Sequence, residues 1–483
     1  MGALAATGQA PLGLWALTLI ALACLYALFA NAATLRRATL IGLAGGTGYF
    51  AVSLNWIVEP FLVDVARHGW MAPFALVFMA MGMALFWALG FGLVRWLRGG
   101  ALAWIAALCA TEALRGVIFT GFPWAQVGHV WIDTPMLHWA GVGGALLLCL
   151  ITLGGAVALW AVCAPSAGHR RAFGAAGLAL LGALYLGGPL VARGVATPPD
   201  APVVRLIQPN AAQHEKWAED KIQFFFDRQI EYTGAGARPD LVVWPETSVP
   251  VILNRAEGTL AYIAEAARGV PVVVGVQRFE GPRLFNSLAL LTPEGRVDAL
   301  YDKHHLVPFG EYIPFGDLLK RFGLRGLAAQ DGNGYSSGPG ARTISLGDLG
   351  IALPLICYEG VFPHDVAAAP ERADFMLLIT NDAWFGRLSG PYQHLAQARL
   401  RSAEQGLPMI RVANTGVSAM IDARGQITAS LPLGQAGWLD APLPPPRAPT
   451  VYALSGDAPV LTLMALVLGV AGWRGRRRGR AAH

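Results

Sequence analysis

Charged residues are scarce: Asp, Glu, Lys and Arg make up 14% of the 483 residues, where soluble domains carry about a quarter. That shortage, with 54% hydrophobic residues and a mean hydropathy of +0.47, excludes an ordinary soluble globular protein and points to a membrane class. Cysteine is scarce too. Cys24, Cys109, Cys149 and Cys163 lie in apolar runs and read as small buried hydrophobes, whereas Cys357 is alone in the charged part of the chain. It has no disulfide partner there and is either inert core or a nucleophile. The first apolar segment lacks a basic lead-in and a clear small-residue cleavage site, so no cleavable signal peptide is expected. The net charge of +5 is not a nucleic-acid signature, because Arg36-Arg37, Arg170-Arg171 and the tail RGRRRGR all flank apolar segments.

Six stretches before residue 194, at about 11–32, 38–58, 73–95, 101–119, 137–164 and 173–192, are long enough to cross a bilayer, and a shorter seventh spans 458–473. Lys and Arg collect on the cytoplasmic side. Arg36-Arg37, Arg95 with Arg98, Arg170-Arg171 and the basic tail fall in alternate loops, so all four can be cytoplasmic together. The stretch 194–457 and the N-terminus are then expected on the opposite face. Glu112 and Arg115 stand three apart in the fourth segment, either as a functional pair or as a structural one facing the bundle.

Proline-rich linkers, GVATPPDAP at 194–202 and APLPPPRAP at 441–449, bracket a soluble domain. The expected organisation is a transmembrane helical domain of about six helices over 1–193, a catalytic domain over 194–449, and a C-terminal transmembrane helix with a basic cytoplasmic tail over 450–483. Within the soluble part, short apolar runs at 203–207, 241–244, 270–276, 287–291, 351–357, 375–379 and 408–413 read as buried strands. Helices fit between them at about 217–233, 259–268 and 391–404. This alternation predicts an α/β sandwich.

Three strand ends in this domain carry reactive groups: LVVWPETSVP with Glu246, YDKHHLVPFGEYIP with Lys303 and Glu311, and LPLICYEGVFP with Cys357. An isolated thiol titrates near 8.5, so acyl transfer needs a base, and Glu246 can serve. A fixed ammonium such as Lys303 stabilises the negative charge that develops on an attacked carbonyl oxygen. Each residue also has a plain alternative: a cap or a surface charge for the acid, a solvated lysine, a core cysteine. His304 and His305 are adjacent and lack metal-ligand spacing, so no metal or organic cofactor is expected.

The strings WPETSVP, YDKHHLVPFGEYIP, LICYEGVFP and NDAWFGRLSGPYQHLAQARLRSAE, in this order over about 200 residues, resemble the nitrilase superfamily. With the flanking membrane segments and the strings TGFPW at 120–124 and SLNWIVEP at 53–60, the chain is most similar to the apolipoprotein N-acyltransferases. That resemblance implies an αββα catalytic domain. Glu246 becomes the general base, Lys303 the oxyanion-stabilising cation and Cys357 the nucleophile that carries a thioester. It further implies supporting active-site roles for Glu311, Tyr358 and Glu359, and places Trp217 on an arm over the acyl site. For each of these the plain reading stays open: packing for Tyr358, a structural pair for Glu359, an interfacial anchor for Trp217. The members carry one more N-terminal membrane helix than is counted here, so this chain is expected to begin at what resembles their second.

The implied reaction is ping-pong, from a phospholipid donor, phosphatidylethanolamine in the family, to the α-amine of a diacylated apolipoprotein. It would take place at the outer face of the bacterial inner membrane. Trp217 and the 313–340 loop are the expected lipid access elements. A membrane-tethered amidase or nitrilase and a transporter with an outer ligand-binding domain are the competing readings.

Overall fold

The computed structural model describes residues 1–165, 168–314 and 334–480, so most of the 313–340 loop lies outside the described residues. The chain divides into two compact units. One gathers Met1–Arg193, Leu388–Gln405 and Pro449–His483; the other gathers Gly194–Arg387 and Gly406–Ala448.

Apolar helices make up the first unit. Val65–Trp96, Pro135–Cys163, Gly168–Val191 and Ala458–Arg477 are long and apolar enough to cross a membrane, and Leu35–Ser53 with Asn55–Leu62, bent by 48°, makes a fifth candidate. The segments expected at 11–32 and 101–119 hold shorter helices, Trp15–Ala30 with 16 residues and Ala101–Arg115 with 15. At 1.5 Å per residue a helix of that length reaches about 23 Å, short of the roughly 30 Å hydrocarbon core. The second of them stops because Gly116 follows and the backbone turns left-handed at Phe119, Thr120 and Gly121.

Small residues let these helices approach closely. A Cβ on Gly46 would lie 2.9 Å from the Ala84 Cα, and one on Gly42 would lie 2.8 Å from the Trp87 carbonyl oxygen. Leu35–Ser53 and Ala72–Trp96 therefore meet backbone to backbone, the packing that small residues four apart allow where lipid supplies no hydrophobic drive. Glu112 and Arg115 form a buried ion pair. Trp87 Nε1 donates to Glu112 at 2.8 Å, and Arg115 donates to the Trp124 carbonyl at 2.8 Å.

Helix Gly390–Gln405 belongs to this first unit although its sequence is polar. Two of its polar side chains are matched by partners far along the chain: Trp124 Nε1 donates to Gln393 at 2.7 Å, and the Ala145 N–H donates to Glu404 at 3.1 Å.

The second unit is a pair of mixed six-stranded sheets. The first runs β12-β1-β2-β3-β4-β5 and the second β11-β10-β9-β8-β7-β6. The strands are β1 Val203–Gln208, β2 Leu241–Val243, β3 Val272–Glu280, β4 Arg283–Leu291, β5 Val297–Asp302, β6 Ile344–Ser345, β7 Ile351–Ile356, β8 Phe375–Thr380, β9 Met409–Ala413, β10 Ser418–Ile421, β11 Ile427–Leu431 and β12 Gly437–Pro442. In each sheet three strands are parallel, β1-β2-β3 and β7-β8-β9, as expected for buried Val- and Ile-rich runs. Phe226 of helix Ile222–Gly234, with Leu260 and Ile263 of helix Glu257–Ala266, buries against Val242, Trp244, Val272 and Val274. The two sheets are joined where Gln208 Oε1 accepts from the Ser418 N–H at 3.0 Å.

Candidate active site

The carboxyl ends of β2, β5, β7 and β8 converge on a cluster of buried polar side chains. After β2 the chain passes through Trp244-Pro245 and turns at Glu246-Thr247, where Thr247 takes a left-handed φ of +46°. This turn lies across β3 at Gly275, because a Cβ there would come within 2.4 Å of the Pro245 oxygen and 2.6 Å of the Glu246 Cα. The Gly275 carbonyl in turn accepts from the Ser248 and Val249 N–H groups. Glu246 is thereby held rigidly at a strand end, where a side chain is fixed and still reachable.

Its two oxygens are engaged from opposite sides. Asn286 Nδ2 of β4 donates to Oε1 at 2.7 Å, and the Asn381 backbone N–H, just past β8, donates to Oε2 at 2.8 Å. Lys303, one residue past β5, places Nζ 3.7 Å from Glu246 Oε1 and 2.9 Å from Glu311. Glu311 is anchored in turn by the Val307 N–H at 2.8 Å. Burial opposes the charge on Lys303, but Glu311 and Glu246 outweigh it and raise its pKa, so the ammonium is fixed. Burial raises the Glu311 carboxyl, with Lys303 pulling the other way and Glu246 adding to the rise.

Cys357 follows β7 at the first position of a 3₁₀ turn, Cys357–Val361, with a left-handed φ of +51°. Such a φ is costly for a residue with a Cβ, and here it turns the side chain sharply at the strand end. Burial pushes the thiol well above its usual range, Glu246 adds to the rise, and Lys303 draws it back. The resting sulfur is therefore protonated and needs a base to take its proton, and the acid and amine that sense it are those the sequence singled out.

Glu359 acts beside the cluster. Completely buried, it accepts from Tyr301 at 2.9 Å, from the His304 N–H at 2.8 Å and from the Ile356 N–H at 2.7 Å, and so ties the nucleophile turn to the Lys303 segment. Tyr358 packs edge-on against His305 and Phe362. His305, His364 and Asp365 bring one donor atom each within 4.8 Å of one another, the only grouping among the described residues that could hold a metal ion. Asp365 is already engaged there by His305 at 2.7 Å; burial pushes its carboxyl up, but His304 and His305 together hold it down at about 2.

Trp217 is 36% exposed and stacks over the ammonium of Lys216, 5.2 Å from its ring centroid. Lys216 escaped the sequence reading. Its Nζ donates to the Glu246 carbonyl at 3.2 Å and to Thr247 Oγ1 at 2.9 Å, and burial lowers its pKa to about 8 while Glu246 opposes the fall. Asn286 and Thr380 escaped it as well, while Asn381 and Asp382 entered it only as the start of the string NDAWFGRLSGPYQHLAQARLRSAE, with no role of their own. The signal available for Asn286 was an amide inside an otherwise apolar run, since a polar group buried in a strand is costly unless it has a partner.

A family model described as carbon-nitrogen hydrolase matches residues 205–450, and one described as apolipoprotein N-acyltransferase N-terminal domain matches residues 1–158. An apolipoprotein N-acyltransferase of Rhodopseudomonas palustris is 37% identical, covering 97% of this chain and 92% of that one. One from Caulobacter vibrioides is 38% identical, covering 90% and 85%. Among solved structures, a carbon-nitrogen hydrolase from Helicobacter pylori G27 matches at 15% identity with a TM-score of 0.39, over 50% of this chain and 88% of that one.

Proposed function

This chain belongs to the apolipoprotein N-acyltransferase family, and we propose that it moves an acyl chain from a phospholipid, through a thioester on Cys357, to the α-amine of a diacylglyceryl-cysteine lipoprotein. Glu246 takes the Cys357 proton as the sulfur attacks the sn-1 ester carbonyl. The charge that develops on the carbonyl oxygen is stabilised by Lys303, and the ester C–O bond breaks to release a lysophospholipid, whose oxygen receives the proton from Glu246. In the second half the lipoprotein amine attacks the thioester, the C–S bond breaks, and Glu246 takes the amine proton and returns it to the sulfur. The product is an amide.

The observation that carries this reading is Lys303 itself, an ammonium held 2.9 Å from Glu311 and 3.7 Å from Glu246 in the field of a buried thiol. Glu311 and Glu359 hold the cluster in place, and Trp217 serves as part of the cover over the acyl site. The arginine distribution among the loops supports a catalytic unit outside the bacterial inner membrane with the C-terminus inside. Phosphatidylethanolamine is the proposed donor.

Intact-mass measurement of purified protein mixed with phosphatidylethanolamine tests it. An acyl adduct should appear, discharge onto a synthetic diacylated lipopeptide, and be absent from Cys357→Ser. In Glu246→Gln, adduct formation should slow by about 10²–10⁴. Free fatty acid in place of acylated peptide would mean a hydrolase instead, and a wild-type protein that never carries the adduct would end the proposal.

A further inference from the structure

β7 and β8 run parallel with Ile356 opposite Ile379, so their ends deliver Cys357 and Thr380 side by side. Burial holds the Cys357 thiol up, and hydrogen bonding from the Thr380 side chain draws it down. Thr380 is completely buried, and its hydroxyl donates to Asp382 Oδ1 at 3.0 Å. Asp382, also completely buried, is paired through Oδ2 with Arg411 at 2.7 Å. Gly416 leaves room for this carboxylate, because a Cβ there would lie 2.2 Å from Asp382 Oδ2 and would have to displace it.

A threonine hydroxyl has one hydrogen and two lone pairs. While that hydrogen is given to Asp382, Thr380 can meet the sulfur only as an acceptor, which suits a protonated S–H. Once Glu246 has taken the proton, the sulfur is an anion with nothing to donate. It then faces a lone pair unless the hydroxyl turns.

We infer that Thr380 is a further catalytic residue, a hydroxyl rotor that accepts from the Cys357 thiol at rest and donates to the sulfur anion, with Asp382 and Arg411 as the pair that sets its resting direction. This rests on the reading of Cys357 as nucleophile. In the step, the S–H bond breaks, an O–H bond forms on Glu246, and the Thr380 O–H bond stays intact as it swings from Asp382 Oδ1 to the sulfur. Asp382 keeps its bond from Arg411. The same donation meets the sulfur when the C–S bond of the thioester breaks, so the rotor serves both halves of the cycle.

The test uses full-length protein in detergent with no lipid present. Alkylation of Cys357 by iodoacetamide is followed by peptide mass spectrometry across pH, with melting temperature measured alongside. Thr380→Val keeps the shape and loses the donor. Its alkylation should be about tenfold slower than wild type below the midpoint, with the midpoint moved up by about one pH unit, and Thr380→Ser should restore both. Asp382→Asn takes away both the competing acceptor and a buried charge that itself holds the thiol up, so it should move the midpoint down, and by less when Thr380→Val is already in place. A Thr380→Val profile that superimposes on wild type, a Thr380→Ser as slow as Thr380→Val, or an Asp382→Asn shift of equal size with and without Thr380→Val would each overturn the inference. If Thr380→Val does not fold, Thr380→Ala takes its place in both comparisons. Because alkylation needs no acyl donor, the result stands apart from whether phospholipid forms the adduct.

Discussion

Glu359 Oε2 accepts the backbone N–H of Ile356 at 2.7 Å, one residue before the strained Cys357. Its other oxygen accepts from Tyr301 and from the His304 N–H. Glu359→Gln puts an NH₂ where one set of donors needs an acceptor, and each orphaned buried donor costs about 1–3 kcal/mol. The expected outcome is a lowered melting temperature together with slower acyl-adduct formation, read by thermal unfolding in detergent and by intact mass. An unchanged melting temperature would separate this carboxylate from the stability of the turn.

The contact at Gly275 makes a sharper geometric prediction. A methyl group there collides with backbone, not with a movable side chain, so Gly275→Ala should cost about 1–3 kcal/mol as overpacking does. It should also displace Glu246 and slow adduct formation more than tenfold, since misplacing a reactive group by an ångström costs about that much or more. A variant with normal adduct kinetics would show that the turn does not depend on this close approach.

Lys216 yields a pH dependence with a definite sign. Its folded pKa is lowered to about 8 from 10.5, so folding disfavours the charged form. That penalty is fully present below about pH 8 and is relieved as pH rises toward the unfolded value. The change amounts to roughly 3 kcal/mol at about 1.4 kcal/mol per pH unit. Lys216→Met removes the titration. The stability of wild type relative to this variant should therefore increase between pH 8 and 10, measured by unfolding of both proteins at matched pH. A constant difference across that window would show that the ammonium is not desolvated.

In the membrane unit, Glu112 and Arg115 are almost wholly buried. Glu112→Ala leaves an unpaired guanidinium inside, and the expected loss is about 3–5 kcal/mol. Replacing both partners with apolar residues of similar size should recover most of that loss, as seen in the melting temperatures of the single and double variants.

Much of this architecture is readable from the chain alone. The runs at 203–207, 241–244, 351–357 and 375–379 match β1, β2, β7 and β8 to within one residue, because strands buried on both faces are nearly continuous in Val, Ile and Leu. Strands β5, β6 and β10–β12 were not expected: Ile427–Leu431 is largely exposed, Val297–Asp302 is buried only at its last two residues, and neither carries an apolar run. The site residues at strand ends were legible because their chemistry is unusual for a turn. Lys216 and Thr380 were not, because each matters through a partner distant in sequence, Glu246 in one case and Cys357 in the other. Helix Gly390–Gln405 shows the same limit. Hydropathy marks it as soluble, while Gln393 and Glu404 are matched to Trp124 and to the Ala145 N–H, more than 250 positions away.

That helix constrains how the protein can be taken apart. The polypeptide leaves the sheet unit after Arg387 and rejoins it at Gly406, so no pair of terminal truncations yields the sheets free of bundle-forming sequence. Cutting at 193 and 449 strands a sixteen-residue amphiphile whose burial was designed for company it no longer keeps. A detergent-free fragment would have to excise the excursion as well and bridge the gap between β8 and β9.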